Sequence, residues 1–177
     1  MSKEIPADER VAATVLHTLA EQGVDYIFAN LGTDHTPLLE AAATMRENDQ
    51  TDAFPEFIQC PHEFVAMSAA HGYAAVTGHP QAVLVHVDVG TQNLGTAMHN
   101  AHRANVPVFV IGGLAPLTDA GYPGSRDSVV HYMQDVFDQA NIHEEYCRWV
   151  RELRTPADPA ATVARGLERA TASPPGP

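Results

Sequence analysis

A carboxylate at the start of an apolar helix is the feature of this sequence with the clearest chemical potential. The segment Cys60-Pro61-His62-Glu63 leads into a run of apolar residues with helical spacing that ends at Gly78. Acidic side chains are seldom buried without a partner, so the pattern predicts that Glu63 lies in a dry crevice and acts as an acid-base group. The alternative is a helix-capping acid stabilised by the helix dipole, and without neighbouring motifs that interpretation comes first.

A second group of candidate residues follows the apolar segment from Ala82 to Asp88. Gly90, Thr91 and Asn93 come where a strand gives way to a helix, which is where parallel α/β sheets bind ligands. Glycine there allows a ring to approach the backbone closely, and the Asn93 amide reaches either that ring or the turn itself. A turn with an N-cap asparagine and no ligand is an equal alternative for Asn93 taken singly.

Two further polar positions interrupt apolar strands or follow them. His86 lies inside the apolar segment, four positions before Gly90, and an imidazole there can move a proton near neutral pH. A satisfied core histidine is an almost equal alternative. Asp34 lies in the turn after the first predicted strand, where it is either a second acid-base group or a turn-forming aspartate, and the turn is slightly favoured.

Composition and spacing exclude several classes of function. The 177 residues are 45% hydrophobic and 18% charged, with a formal net charge of -12, which indicates one globular domain without a basic surface for nucleic acid or anionic lipid. Cys60 and Cys147 form no C-x-x-C pair, and no apolar run is long enough to cross a bilayer. His99 and His102 lack a third ligand of matching spacing, so no metal site is predicted. We expect a cytoplasmic protein without membrane partners.

Strands alternate with helices along the chain, which predicts a mostly parallel sheet with helices on both faces, a three-layer α/β/α fold. The predicted strands are Tyr26 to Asn30, Phe54 to Cys60, Ala82 to Val87, Val108 to Ile111 and, as a fifth candidate, Glu145 to Val150. The predicted helices are Ala7 to Val24, Pro37 to Arg46 with Thr36 as N-cap, His62 to Thr77, Gln92 to Arg103, Ser128 to Gln139 and Pro159 to Ala172. A loop from Leu114 to Arg126 is rich in proline, glycine and serine.

The ordered set of these motifs resembles the pyrimidine-binding domain of thiamine diphosphate-dependent enzymes, with the acetolactate synthase and benzoylformate decarboxylase group nearest in pattern. The resemblance runs from about Ala7 to Pro177. It rests on His62-Glu63-x-x-Ala66, Gly72-Tyr73-Ala74, Gly90-Thr91-x-Asn93 and Asn105-Val106-Pro107. The implied function is the aminopyrimidine-binding part of a 2-keto acid decarboxylase or carboligase.

The resemblance also implies roles for individual residues. In the family, the carboxylate at the Glu63 position hydrogen-bonds the aminopyrimidine and favours the tautomer that activates the thiazolium carbon. Gly90, Thr91 and Asn93 match cofactor-binding positions. His86 matches an active-site histidine of benzoylformate decarboxylase. The turn Thr33-Asp34-His35 faces the substrate in relatives, although Leu31-Gly32 replaces the usual Pro-Gly before it. His131, Tyr132 and Gln134 depart from the commoner pattern and are predicted to form a wall of the active-site entrance.

Further implications concern the parts that this chain does not supply. The family's Gly-Asp-Gly motif for diphosphate and Mg²⁺ is not found in these residues. We therefore expect residues 1–177 to be a single domain cut from a longer multidomain enzyme, inactive alone, whose diphosphate domain comes from the same enzyme or a partner subunit in a homodimer or tetramer. Two alternatives stay open: the small subunit of a split decarboxylase, and a non-catalytic flavodoxin-like binding or assembly domain in which Glu63 only caps a helix.

Overall fold

A computed structural model describes residues 7–177 of the chain, with side chains from Arg10 onward. The helices and strands, in chain order, are α1 Ala7–Glu21, β1 Tyr26–Asn30, α2 Thr36–Glu47, β2 Glu56–Gln59, α3 Glu63–Thr77, β3 Gln81–Val85, α4 Val89–Gln92, α5 Gly95–Ala104, β4 Val108–Gly112, α6 Val130–Met133 and α7 Pro159–Thr171. Three 3₁₀ segments join them, at Thr33–His35, Thr51–Ala53 and Ala140–Tyr146.

The strands form a parallel sheet in the order β2-β1-β3-β4, with helices on both faces. Strand β3 is buried along its whole length, which explains its continuous apolar sequence. Because side chains alternate along a strand, Ala82 and Leu84 join a core with α1, α2 and α7, whereas Val83 and Val85 join a second core with α3 and α5. The predicted three-layer α/β/α fold is confirmed.

The carboxyl ends of all four strands meet at one edge of the sheet. Strand β1 pairs with β2 on one side and with β3 on the other, so the chain changes direction across the sheet at β1. In open α/β sheets, ligands bind in the crevice at such a switch point. The loops after β1 and β3 and the start of α3 therefore define the place to search for a site.

Two predicted elements are wrong, and both lie after β4. The predicted helix from Ser128 to Gln139 is helical only over α6. Its apolar side chains find no core to pack on, since Met133 and Phe137 are exposed. The predicted strand from Glu145 to Val150 pairs with no other strand of the described chain. Instead its first residues end a 3₁₀ helix, and the Arg148 N–H donates to the Pro177 carbonyl at 2.7 Å.

Smaller differences concern where elements begin and end. Thr36 is the first residue of α2 rather than its N-cap, and its hydroxyl donates to the Thr33 carbonyl at 2.8 Å. The predicted helix from Gln92 to Arg103 is divided into α4 and α5 just before Gly95, whose φ is +20°. His86 lies one residue beyond β3 instead of inside it. In the part of the chain that the structure describes, no helix is long and apolar enough to cross a membrane.

Candidate active site

Glu63 is the first residue of α3, and the structure buries it at the switch-point edge of the sheet with 7% of its surface exposed. The preceding His62 caps the helix, because its Nδ1 accepts the Phe64 N–H at 3.1 Å. Glu63 Oε2 accepts a hydrogen bond from Asn93 Nδ2 at 3.0 Å. Among the described residues, no hydrogen bond reaches Oε1, which faces Gly90: a Cβ there would lie 3.4 Å away. Oε1 of Glu63 is thus available to accept a hydrogen bond from a ligand next to the backbone of Gly90.

The turn after β3 brings the other predicted cofactor residues to Glu63. Gly90 and Asn93 both face the Glu63 carboxylate, and Asn93 reaches it rather than the turn. Thr91 differs, because it is buried and its hydroxyl and carbonyl are both used inside the protein. Gln139 Nε2 donates to Thr91 Oγ1 at 3.1 Å, and His143 Nε2 lies 2.7 Å from the Thr91 carbonyl. Thr91 therefore anchors the turn after β3 to Gln139 and His143 and does not present its side chain to a ligand.

Gln139 braces the same turn at a second point. Asp88 adopts φ 55° and ψ -96°, a conformation that is unfavourable for a residue with a side chain. Gln139 Oε1 accepts the Asp88 N–H at 2.8 Å, and its Nε2 also donates to the Gly113 carbonyl at 2.6 Å. Neither Gln139 nor His143 was predicted as a functional residue: Gln139 ends the predicted helix that mostly does not form, and His143 lies in the 3₁₀ segment that follows.

Asp34 and His86 form a side-chain pair 52 positions apart in sequence. Asp34 Oδ1 makes a short hydrogen bond with His86 Nδ1, and Asp34 Oδ2 accepts the Val87 N–H at 2.9 Å. The Asp34 side chain is 9% exposed and that of His86 is 19% exposed. Gln134 Nε2 lies 3.0 Å from the other ring nitrogen, His86 Nε2. Sequence analysis singled out all three residues but did not predict that they meet.

His35 lies behind this pair and is committed to the backbone. It is 2% exposed, its Nδ1 accepts the Gly32 N–H at 3.0 Å, and its Nε2 donates to the Val85 carbonyl at 2.9 Å. Burial lowers the pKa of His35 below its ordinary value of 6.5, although the charge of Asp34 opposes the shift. In the same turn, Thr33 is exposed. Of the three predicted substrate-facing residues, Thr33 is the one whose side chain is open to a ligand.

The remaining candidates have other roles. His102 Nδ1 lies 2.9 Å from the Tyr146 carbonyl, and His99 contacts the Tyr146 ring edge-on. The described residues contain no group of three or more His, Cys, Asp or Glu able to hold a metal ion. Both cysteines are free thiols. Burial raises the pKa of Cys147 to about 11, helped by Glu144, and burial also raises the pKa of Cys60, so neither resembles an activated nucleophile.

Comparison with known families adds an independent line of information. The model of the thiamine pyrophosphate enzyme N-terminal TPP binding domain matches residues 9–142. That range contains Glu63, Asn93, Asp34, His86 and the turn after β3. The region beyond it contains the last part of the 3₁₀ helix that ends at Tyr146, and α7.

Curated relatives and solved structures agree with this match. A putative acetolactate synthase large subunit of Mycobacterium tuberculosis is 38% identical over 104 residues, covering 58% of this chain and 18% of the relative. A 2-hydroxyacyl-CoA lyase 2 of Danio rerio is 27% identical over 164 residues, covering 93% of this chain and 24% of the relative. The thiamine diphosphate-dependent 4-hydroxybenzoylformate decarboxylase of Rhodococcus jostii is 22% identical with a TM-score of 0.76, covering 97% of this chain and 29% of that one. The chain therefore spans about a quarter or less of the length of these curated relatives.

Proposed function

This chain belongs to the thiamine pyrophosphate enzymes, as an N-terminal TPP-binding domain, and on that premise we propose that Glu63 binds and activates the aminopyrimidine ring of thiamine diphosphate. The observation that carries the proposal is the burial of the Glu63 carboxylate together with the hydrogen-bond partners of its two oxygens. It is buried at a helix N-terminus, one oxygen is held by Asn93, and the other faces Gly90. A ring nitrogen that meets Oε1 there gives this oxygen a hydrogen-bond partner, which it lacks among the described residues.

The residues present fit the cofactor that the family implies. A side chain at Gly90 would crowd His86 Cβ at 3.0 Å and Glu63 Oε1 at 3.4 Å, so glycine keeps side-chain atoms away from the carboxylate oxygen that would meet the ring. A carboxyl that shares its proton with a weakly basic ring nitrogen acts as an acid-base catalyst. Asn93 keeps that carboxyl pointed at the ring. When bound, thiamine diphosphate supplies the electron sink for breaking or forming the carbon–carbon bond next to a carbonyl.

The parent reaction in this proposal is decarboxylation of a 2-keto acid, or carboligation from one. His86 lies beside Gly90. Its proposed role is to bind the substrate carboxylate or to transfer a proton to or from the reacting carbon. Thr33 is exposed in the neighbouring turn and is proposed to contact the substrate. The names of the relatives, a synthase, a lyase and a decarboxylase, support this class of reaction.

The proposal is tested by the rate of hydrogen–deuterium exchange at the thiazolium carbon in the complete enzyme. We expect Glu63→Gln to slow exchange by about 10²- to 10⁴-fold, the usual contribution of a positioned acid-base group. The matched control is Glu56→Gln, since Glu56 is exposed at the start of β2, and exchange should stay at the wild-type rate. Equal exchange in wild type and Glu63→Gln would refute the activating role and favour a binding or assembly module.

The proposal also assigns the diphosphate and Mg²⁺ to a domain outside these residues, supplied by the same enzyme or by a partner subunit in a cytoplasmic homodimer or tetramer. Isothermal titration of thiamine diphosphate into the 177-residue chain provides the test. Binding should be weak and should not change when Mg²⁺ is added. A Mg²⁺-dependent increase in affinity would place the metal site within this chain and contradict the assignment.

A further inference from the structure

The hydrogen bonds around His86 run in one direction. An ionised carboxylate only accepts hydrogen bonds, so the proton in the bond between Asp34 Oδ1 and His86 Nδ1 belongs to the imidazole. The second Asp34 oxygen is held by the Val87 N–H at 2.9 Å, which prevents the carboxylate from turning. Neutral His86 therefore carries its proton on Nδ1 and a lone pair on Nε2.

Gln134 satisfies that lone pair. Its amide nitrogen lies 3.0 Å from His86 Nε2 and donates to it, so the chain of donors runs from Gln134 through His86 to Asp34. Gln134 belongs to the poorly packed segment after α6, whose neighbours Met133 and Phe137 are exposed. The Nε2 side of His86 is therefore covered by one partly buried side chain, Gln134, and not by backbone.

Two glycines show that the fold is built around this pair. A Cβ at Gly113 would lie 1.5 Å from Asp34 Oδ2, and a Cβ at Gly32 would lie 2.2 Å from His86 Nδ1. Neither glycine has a left-handed φ, so close approach and not backbone conformation accounts for them. Backbone thus encloses the contact from two sides.

We propose that Asp34 is a positioning residue that fixes the proton of His86 on Nδ1, so that Nε2 is the atom His86 offers to the substrate, with Gln134 as the group the substrate displaces. The proposal rests on the proposed function of the site. It moves Asp34 from a substrate-facing acid to the partner that orients the histidine. Nε2 then accepts a proton from a substrate hydroxyl or, once protonated, pairs with a substrate carboxylate, and the Asp34 charge stabilises the imidazolium.

The isosteric change Asp34→Asn makes a specific prediction. The asparagine carbonyl has to face the Val87 N–H, because its amide NH₂ cannot accept that bond. The NH₂ group then faces His86 Nδ1, which has to become an acceptor and lose its proton to Nε2. The variant therefore inverts the tautomer while keeping the size of the side chain.

The experiment measures the tautomer of His86 by ¹⁵N–¹H NMR on the 177-residue chain, labelled at histidine nitrogens and kept near pH 8 without cofactor. The His86→Gln variant identifies the His86 signals. We expect protonated Nδ1 and unprotonated Nε2 in the wild type, and the reverse in Asp34→Asn. The matched control is Gln134→Ala, which removes the partner of Nε2 and should leave the proton on Nδ1.

Two results overturn the inference: a wild-type proton on Nε2, or a proton that stays on Nδ1 in Asp34→Asn with the rest of the spectrum dispersed as in wild type. If Asp34→Asn disturbs the fold, the wild-type and Gln134→Ala tautomers still decide the question. The measurement uses no cofactor, so it can fail while Glu63 still activates thiamine diphosphate. Conversely, if the exchange experiment refutes the role of Glu63, the measured tautomer of His86 is unaffected.

Discussion

The two acidic side chains at the carboxyl edge of the sheet are almost equally buried but differ in how their oxygens are used. Both oxygens of Asp34 have partners, His86 and the Val87 N–H, and glycine backbone closes around the group. Glu63 has one oxygen held by Asn93 and one that faces Gly90. A carboxylate oxygen without a protein partner at an otherwise buried group marks where a ligand can bind, whereas full satisfaction marks a group that acts through its neighbour.

The strongest test of the difference between the two carboxylates is the substitution Asp34→Asn in the complete enzyme. We expect Asp34→Asn to lower turnover of the 2-keto acid that the wild type consumes by about 10²- to 10⁴-fold, because His86 presents the wrong tautomer. Exchange at the thiazolium carbon should stay within about threefold of wild type, since Glu63 and Asn93 are untouched. Steady-state kinetics and exchange on the same sample separate the two carboxylates. Loss of both rates together would show that they act as one unit.

Alanine substitutions at Gly113, beside Asp34, and at Gly90, beside Glu63, compare how tightly the two carboxylates are enclosed, measured as a change in the free energy of unfolding. Gly113→Ala puts a Cβ 1.5 Å from Asp34 Oδ2, so the free energy of unfolding should fall by about 3 kcal/mol. Gly90→Ala meets His86 Cβ at 3.0 Å and Glu63 Oε1 at 3.4 Å, so the loss should be about 1 kcal/mol. Urea denaturation of the chain measures both.

Gly72→Ala is the control for these glycine variants, because nothing lies within 4 Å of a Cβ at this exposed position in α3. It should stabilise the chain by about 0.5–1 kcal/mol through helix propensity. An equal loss in Gly113→Ala and Gly90→Ala would mean that Asp34 is no more tightly enclosed than Glu63.

Removing Asn93 tests how much the half-satisfied carboxylate depends on its single side-chain partner. Asn93→Ala should slow thiazolium exchange by about tenfold, corresponding to about 1.4 kcal/mol for a hydrogen bond to a charged group at an exposed amide. Asn100→Ala changes an exposed asparagine of α5 and serves as the control. If Asn93→Ala exchanges as fast as wild type, Glu63 is oriented by the helix start alone.

Local sequence predicted the elements that carry Glu63 but not the contact between Asp34 and His86. Strand β1 and the start of α3 follow from continuous apolar runs and helical spacing, and they lie within a residue of their predicted limits. The meeting of Asp34 and His86 depends on strand register, because pairing of Asn30 with Val85 brings the two following loops together. No pattern along the sequence specifies that register.

The segment after β4 shows the opposite limit. The helix predicted from Ser128 to Gln139 forms only over α6, because helix stability comes from burying an apolar face and Met133 and Phe137 are exposed. The segment is attached instead through polar contacts of Gln134, Gln139 and His143, of which Gln139 alone makes three. Such contacts have no period and cannot be read from a sequence. The entrance wall predicted from His131, Tyr132 and Gln134 stays a prediction.

The most gradual expected effect concerns His35, the buried histidine behind the pair of Asp34 and His86. Its pKa is lowered from 6.5, chiefly by burial, with opposing contributions from the Asp34 charge and the Val85 carbonyl. Below pH 6.5 the unfolded chain takes up a proton that the folded chain excludes, so the His35 contribution is complete above that pH and is lost on acidification. The free energy of unfolding of wild type should fall relative to that of His35→Gln by up to about 1.4 kcal/mol per pH unit below 6.5.

Urea denaturation between pH 8 and pH 5 measures the slope, and His79→Gln, which changes an exposed histidine, is the control. A constant difference between wild type and His35→Gln would show that the folded protein admits a proton at His35, which requires the turn that holds Asp34 to open.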